Sequence, residues 1–361
     1  MVSPPYHMRG SELSMVFAGH PHTRLAYDLG RRMRAFDRRS LLKGLAFFSA
    51  FIERNSGNGI YEGSMPRRSA KIPTFGRVVI AQHMLALTAK VLLERGQDSQ
   101  RKTIPYAAVL DYISHAGKML DPRDMSATSQ EDMLAFSVRI GWQQLPLQEW
   151  TRYIIPRGKL LFVDSAQMVA DEGYDIEGEF QRITKLSIAE FMEIGALFYS
   201  SFLASGEIRL PLSLEPELQH LTDIIAPQKV SAFVAILSQP IEALARESRK
   251  SGAIQGFDMY GWNPLMRYPL VNLSNSWYAP VLPFFTQKIS DGPFWLLDGA
   301  GRDGRFRTQF GFVFEQYLGL HLKAAFAKSV IYHEHEIQDT KGVVMPDWVV
   351  VNPDRSVVDR M

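Results

Sequence analysis

Apolar residues recur at helical spacing through most of the first 250 positions, and the residues that punctuate them predict helices. The run from Phe75 to Gly96, FGRVVIAQHMLALTAKVLLERG, has Pro73 ahead of it and ends on glycine. That is the proline-before, glycine-after order of helix ends, and it predicts one long helix. Its uncharged middle, Val78 to Ala89, falls short of the roughly 20 residues a membrane-crossing helix needs and reads as buried. Thr128 with Glu131, and Ser187 with Glu190, have capping-box spacing. Leu186 and Phe191 are placed to staple across the second box, which opens an apolar helix to about Ala204. From Gly206 to Leu218 two prolines and the loss of helical period predict a break. Beyond Ser251 the period changes, and Tyr268 to Leu273 and Trp277 to Val281 predict a short hairpin around Ser274-Asn275-Ser276.

These elements predict a mainly α N-terminal region followed by a C-terminal α/β segment. The expected divisions are a helical region over 1–205, a helical subdomain and mixed connector over 206–290, and an α/β part over 291–361. An apolar share of 46% is enough for real cores. The formal charge of +2 commits the whole chain neither to nucleic acid nor to a membrane, so any basic surface must be local. The absence of cysteine excludes disulfides and thiolate metal sites and fits a cytoplasmic protein.

Local charge sharpens this picture. Asp37-Arg38-Arg39-Ser40-Leu41-Leu42-Lys43-Gly44, followed by LAFFSAFI, resembles a twin-arginine export signal. Its apolar stretch is short and Glu53-Arg54 follow without a small-residue cleavage site, so it reads as an amphipathic helix with a basic, solvated start and no membrane role. Arg31, Arg32, Arg38 and Arg39 are the candidate contacts to a DNA backbone, with Arg67, Arg68 and Lys71 in a following loop.

Two motifs carry a bland reading beside the chemical one. Phe294 to Asp298 as a strand, followed by Gly299-Ala300-Gly301-Arg302-Asp303-Gly304, has the wording of a nucleotide or S-adenosylmethionine site. Too little chain follows for a doubly wound domain, and a glycine-rich turn before a helix is the stronger reading. Tyr332-His333-Glu334-His335-Glu336 places two imidazoles on one face of a strand. With no third ligand marked by spacing, an exposed polar strand is expected.

The C-terminal stretch carries the most specific constellation. Phe310, Val313, Phe314, Tyr317 and Leu318 form an apolar helical stripe that leaves Glu315 off the core-facing line. Asp339 to Gly342 and Asn352 to Arg355 read as turns, with Asp347 and then Asp359 on the strands between and after them. Gly311-Phe312-Val313-Phe314-Glu315 with Leu322, followed by Pro346-Asp347, resembles the αβββ start of the PD-(D/E)xK restriction-endonuclease-like superfamily, in the manner of its Mrr-like and defence-associated members. The resemblance implies magnesium-dependent DNA hydrolysis, with Glu315 and Asp347 as metal ligands and Asp359 as a third acid. It also implies an incomplete core. Asp359-Arg360-Met361 has methionine where the (D/E)xK lysine belongs, so the segment is expected to be inactive alone and truncated. Its uncovered sheet edge and Val/Trp face are expected to seek a second copy or a completing chain. The other readings are a non-enzymatic interaction or scaffold protein and, more weakly, a nucleotide or S-adenosylmethionine binder.

Overall fold

The structure, a computed structural model, describes residues 21–55, 60–69, 72–97, 103–119, 151–169, 173–210, 225–251, 262–273, 276–300, 304–333, 347–351 and 357–360. The chain is mostly helical with a few small antiparallel sheets. It divides into two compact units that are discontinuous in sequence. The first takes Met1–Ile155 with Glu193–Ile289, and the second takes Pro156–Met192 with Ser290–Met361.

In the first unit, helices α1 (Pro21–Met33), α2 (Arg38–Asn55) and α4 (Tyr106–Met119) pack on α3 (Gln82–Arg95). Between α2 and α3 runs a hairpin, β1 (Ile60–Ser69) and β2 (Ile72–Ala81), in antiparallel register from Ile60↔Ala81 to Ser69↔Ile72. The long helix expected from Phe75 is therefore strand as far as Ala81 and helix only from Gln82. The reason is compositional: Thr74, Phe75, Val78, Val79 and Ile80 fit an extended chain, and the good helix formers begin only near Gln82. Pro73 is no helix start. It pairs with Arg68 in a two-stranded sheet, where both strands are edges and a missing donor is tolerated. Arg67 and Arg68 lie on this strand and not in a loop.

Strand β2 passes into α3 without a linking residue, and a buried polar knot holds the junction. Ser49 Oγ donates to Gln82 Oε1 at 2.7 Å, while Gln82 Nε2 donates to Ser49 O and Glu53 Oε1, each at 3.0 Å. The same hydroxyl oxygen accepts from Leu282 N at 2.7 Å. Gly96 ends α3 as expected, but with extended backbone instead of a left-handed cap. Its value is the close approach of its N–H to Leu92 O, 2.8 Å away.

Helix α2 has the amphipathic character read from the sequence, though its start is not wholly solvated. Arg39 and Lys43 are exposed, whereas Arg38 is only 5% exposed and lies 3.8 Å from Glu242. Asp37 caps the helix by accepting from Ser40 N at 3.1 Å.

Further along, helix α5 is Thr151–Lys159, and a π-helical turn, Leu160–Asp164, leads into α6 (Ser165–Met168). Helices α7 (Ile176–Thr184) and α8 (Ile188–Ser205) meet at the expected capping box. Glu190 N donates to Ser187 Oγ and Ser187 N donates to Glu190 Oε2, both at 3.0 Å, with Leu186 and Phe191 fully buried beside them. The box expected at Thr128 lies outside the described residues.

Strand β3 (Ile208–Arg209) follows α8, then α9 (Pro227–Leu237) and α10 (Ile241–Ser251). The expected hairpin is present as β4 (Val271–Leu273) and β5 (Ser276–Tyr278), with β3 as an additional third strand beside β5. In helix α11 (Leu282–Ser290) Phe285 packs with Phe198, Phe202 and Phe233 into a buried aromatic cluster.

Lys288 of α11 is mostly buried; that burial, helped by the nearby Arg267 charge, holds its ammonium pKa down to about 8. A cation whose folded pKa is lowered binds its proton more weakly folded than unfolded. Stability should therefore rise with pH between about 8 and the ordinary lysine value of 10.5. Urea unfolding across that window should show the rise in the parent and lose it in Lys288→Met; equal pH slopes would refute it.

Phe294 to Asp298 belong to helix α12 (Gly292–Ala300), which removes the strand that a dinucleotide motif requires. Of the glycine-rich turn expected over Gly299 to Gly304, Gly299 and Ala300 end that helix, residues 301–303 lie outside the described residues, and Gly304, at φ 74°, is the N-cap of α13 (Arg305–Ala325). Three antiparallel strands follow in the order β6 (Val330–His333), β7 (Trp348–Val351) and β8 (Val357–Arg360).

Candidate functional site: the Glu315–His333–Trp348 cluster

Helix α13 and the β6–β7 pair build this site within the second unit. After the helix, Phe326 N closes on Leu322 O at 2.8 Å and Ser329 N on Phe326 O at 2.9 Å, turning the chain directly into β6. Register pairs His333 with Trp348 and Val330 with Val351. Trp348 and Val350 are buried with Leu322, and Phe326 and Ile331 pack at their margin. The alternate pattern of β7 follows from strand geometry. The Val/Trp face expected to stand uncovered is thus closed by the chain's own helix.

Glu315 faces this sheet. Its carboxylate is hydrogen bonded to His333 Nε2, and the two side chains are 19% and 15% exposed. Trp348 Nε1 donates to the backbone oxygen of Glu315 at 3.2 Å. The His333 and Trp348 rings meet edge to face, with centroids 4.7 Å apart at 79°. Gly319, one turn beyond Glu315, makes room: a Cβ there would overlap the Trp348 indole. Lys323 Nζ stands 5.8 Å from the same ring.

The apolar stripe is only partly the core face. Val313 is fully buried, but Phe314 and Leu318 are 43% and 36% exposed. The buried positions are Phe306, Gln309, Val313, Gly319 and Leu322, because the helix serves two contacts, the π-turn and α6 near its start and the sheet near its end. Glu315 is consequently not a solvated carboxylate, nor is β6 an exposed polar strand throughout. His335, Glu334 and Glu336 lie outside the described residues.

No family model, no curated protein and no solved structure matches the chain.

The site is therefore judged on its own chemistry. A carboxylate bonded to an imidazole fixes that ring's orientation. Magnesium asks for an octahedral set of oxygen ligands. Among the described residues, no three His, Cys, Asp or Glu side chains gather as a metal-binding group. Asp347 is exposed, just ahead of β7 and next to Trp348. Asp359 lies on β8 opposite Val350 in register, beyond a bulge between Val350 and Val351. The structure brings Glu315 to His333.

Sequence reasoning placed Glu315 and His333 separately and missed their pairing. The available signal was Gly319, a small residue one turn from Glu315 that marks close approach of another element. Of the basic residues, Arg31 forms an ion pair with Asp28 at 2.9 Å, Arg32 and Arg39 are exposed, and Arg38 is withdrawn into the fold.

Proposed function

We propose that the protein is a non-enzymatic interaction protein whose C-terminal unit has a nuclease-like α-β-β-β layout. One observation carries the reading: the Glu315 carboxylate is engaged by His333 beside Trp348. A carboxylate used in this way ties helix to sheet instead of holding a hydrated cation. Exposed Arg32 and Arg39 are the places where a DNA backbone would be gripped, which makes nucleic acid the first partner to test.

A second reading is magnesium-dependent DNA hydrolysis in a defence setting. It is favoured by the order of helix and three antiparallel strands, and by Glu315 on the sheet-facing side of that helix with Asp347 at the head of β7. A plasmid-nicking assay in magnesium or manganese, set beside the Glu315→Ala, Asp347→Ala double variant, separates the two. Parent and double variant should be equally inert. Cleavage by the parent that the double variant lacks would overturn the interaction reading and establish hydrolysis.

A further inference from the structure

A cleft of about 290 Å³ opens within the second unit, away from Glu315, and no role described above uses it. It is close to the lower size of small-molecule sites. One wall is the π-helical turn Leu160–Asp164, where Ser165 N and Ser165 Oγ both bond to Leu160 O. Single π-turns displace side chains from helical register and recur at functional sites. Here the turn contributes Phe162, which is 2% exposed overall, and Val163 to the lining.

The polar side chains of the lining are Gln167, Tyr174, Asp175, Glu177 and Gln309. Gln309 of α13 is 3% exposed; its Nε2 donates to Val169 O at 2.9 Å, which fixes the amide, and its amide oxygen accepts no hydrogen bond among the described residues. Glu177 lines the cleft with Asp175. Asp175 Oδ1 is used by Gly178 N at 2.7 Å as the cap of α7. Glu177 takes only the single N–H of Ile188, shared between its oxygens at 3.1 and 3.3 Å, so acceptor capacity remains. Glu177 is exposed as a residue, yet partial burial of its carboxylate, and then the Asp175 and Glu190 charges, raise its pKa despite the Ile188 bond. Neither lysine nor arginine lines the cleft; Arg305 sits over the Tyr174 ring at 6.0 Å without being part of the lining.

We propose that this cleft binds a small organic cation, a primary ammonium group on an apolar or aromatic body. The ammonium carries three donors and no acceptor, which complements the Glu177 carboxylate and the open Gln309 oxygen. The body would lie against Phe162, Ala166 and Ala189. A carboxylate-bearing ligand of the same shape is disfavoured by Asp175 and Glu177 together.

Calorimetric titration of the whole protein with phenethylamine, 2-phenylethanol and phenylacetate tests this. Phenethylamine should bind, the alcohol about tenfold more weakly, and the acid not at all, since one charge-assisted hydrogen bond is on that scale. Glu177→Gln, which keeps an acceptor for Ile188 N, should weaken amine binding about tenfold while circular dichroism stays that of the parent. Gln309→Leu and the space-filling Ala166→Phe supply independent variants, each expected to weaken the amine. No amine binding at millimolar concentration, equal affinity for amine and alcohol, or an affinity unchanged in all three variants would overturn the proposal.

Discussion

Glu94→Ala should cost the first unit about 3–5 kcal/mol, the scale of breaking a buried ion pair by removing one partner. Lys90 and Glu94 lie one turn apart on α3, with side chains 2% and 9% exposed and Nζ 3.8 Å from Oε1. Glu94 also accepts from Ser248 Oγ of α10 at 3.0 Å, so its carboxylate joins two helices of the core. Deleting it removes the carboxylate that stands beside a nearly fully buried ammonium. The double variant Lys90→Met, Glu94→Gln removes both charges while keeping an acceptor for Ser248 and an apolar stem on α3. It should lie within about 1 kcal/mol of the parent, because the desolvation cost disappears with the attraction. Denaturant unfolding of parent, single and double variants gives the comparison as a cycle. A single variant as stable as the parent, or a double variant as damaged as the single, would refute the argument.

How much of this was legible in the sequence depended on whether the signal was local. The capping box at Ser187 and Glu190 is satisfied within four residues, and it appears as read. The hairpin at Val271 to Tyr278 is also local; its third strand, from Ile208, comes from more than sixty residues upstream and carries no local sign. The segment from Phe75 to Ala89 shows the opposite case. A continuous apolar run reads alike as buried helix or strand, and here the partner strand Ile60–Ser69 decides. Arg38 and Arg39 are adjacent in sequence, yet tertiary packing buries one and exposes the other. At the C-terminus the sequence singled out Glu315 by its place in a motif. It could not reveal the His333 bond, which depends on how strand β6 returns along the helix.

Trp348→Ala should lose about 3–5 kcal/mol from the C-terminal α-β-β-β layer, the usual cost of deleting a buried large aromatic. Trp348 is 5% exposed, donates to Glu315 O, packs on His333 and joins a small cluster with Leu322 and Val350. Few other buried side chains among the described residues are available to compensate. Gly319→Ala tests the same contact from the helix side, and its sign is informative. In an exposed helix interior, glycine to alanine gains about 1 kcal/mol. At Gly319 the new methyl would overlap the indole, and overpacking of this kind costs about 1–3 kcal/mol, so the net change should be destabilising. Hydrogen exchange should then rise over Val330–His333 and Trp348–Val351 in both variants while α3 in the first unit keeps its protection. Such exchange reads local opening separately from global unfolding. If Gly319→Ala instead raised stability, Trp348 would not rest on that face of α13, and the bond between Glu315 and His333 would lose its structural support.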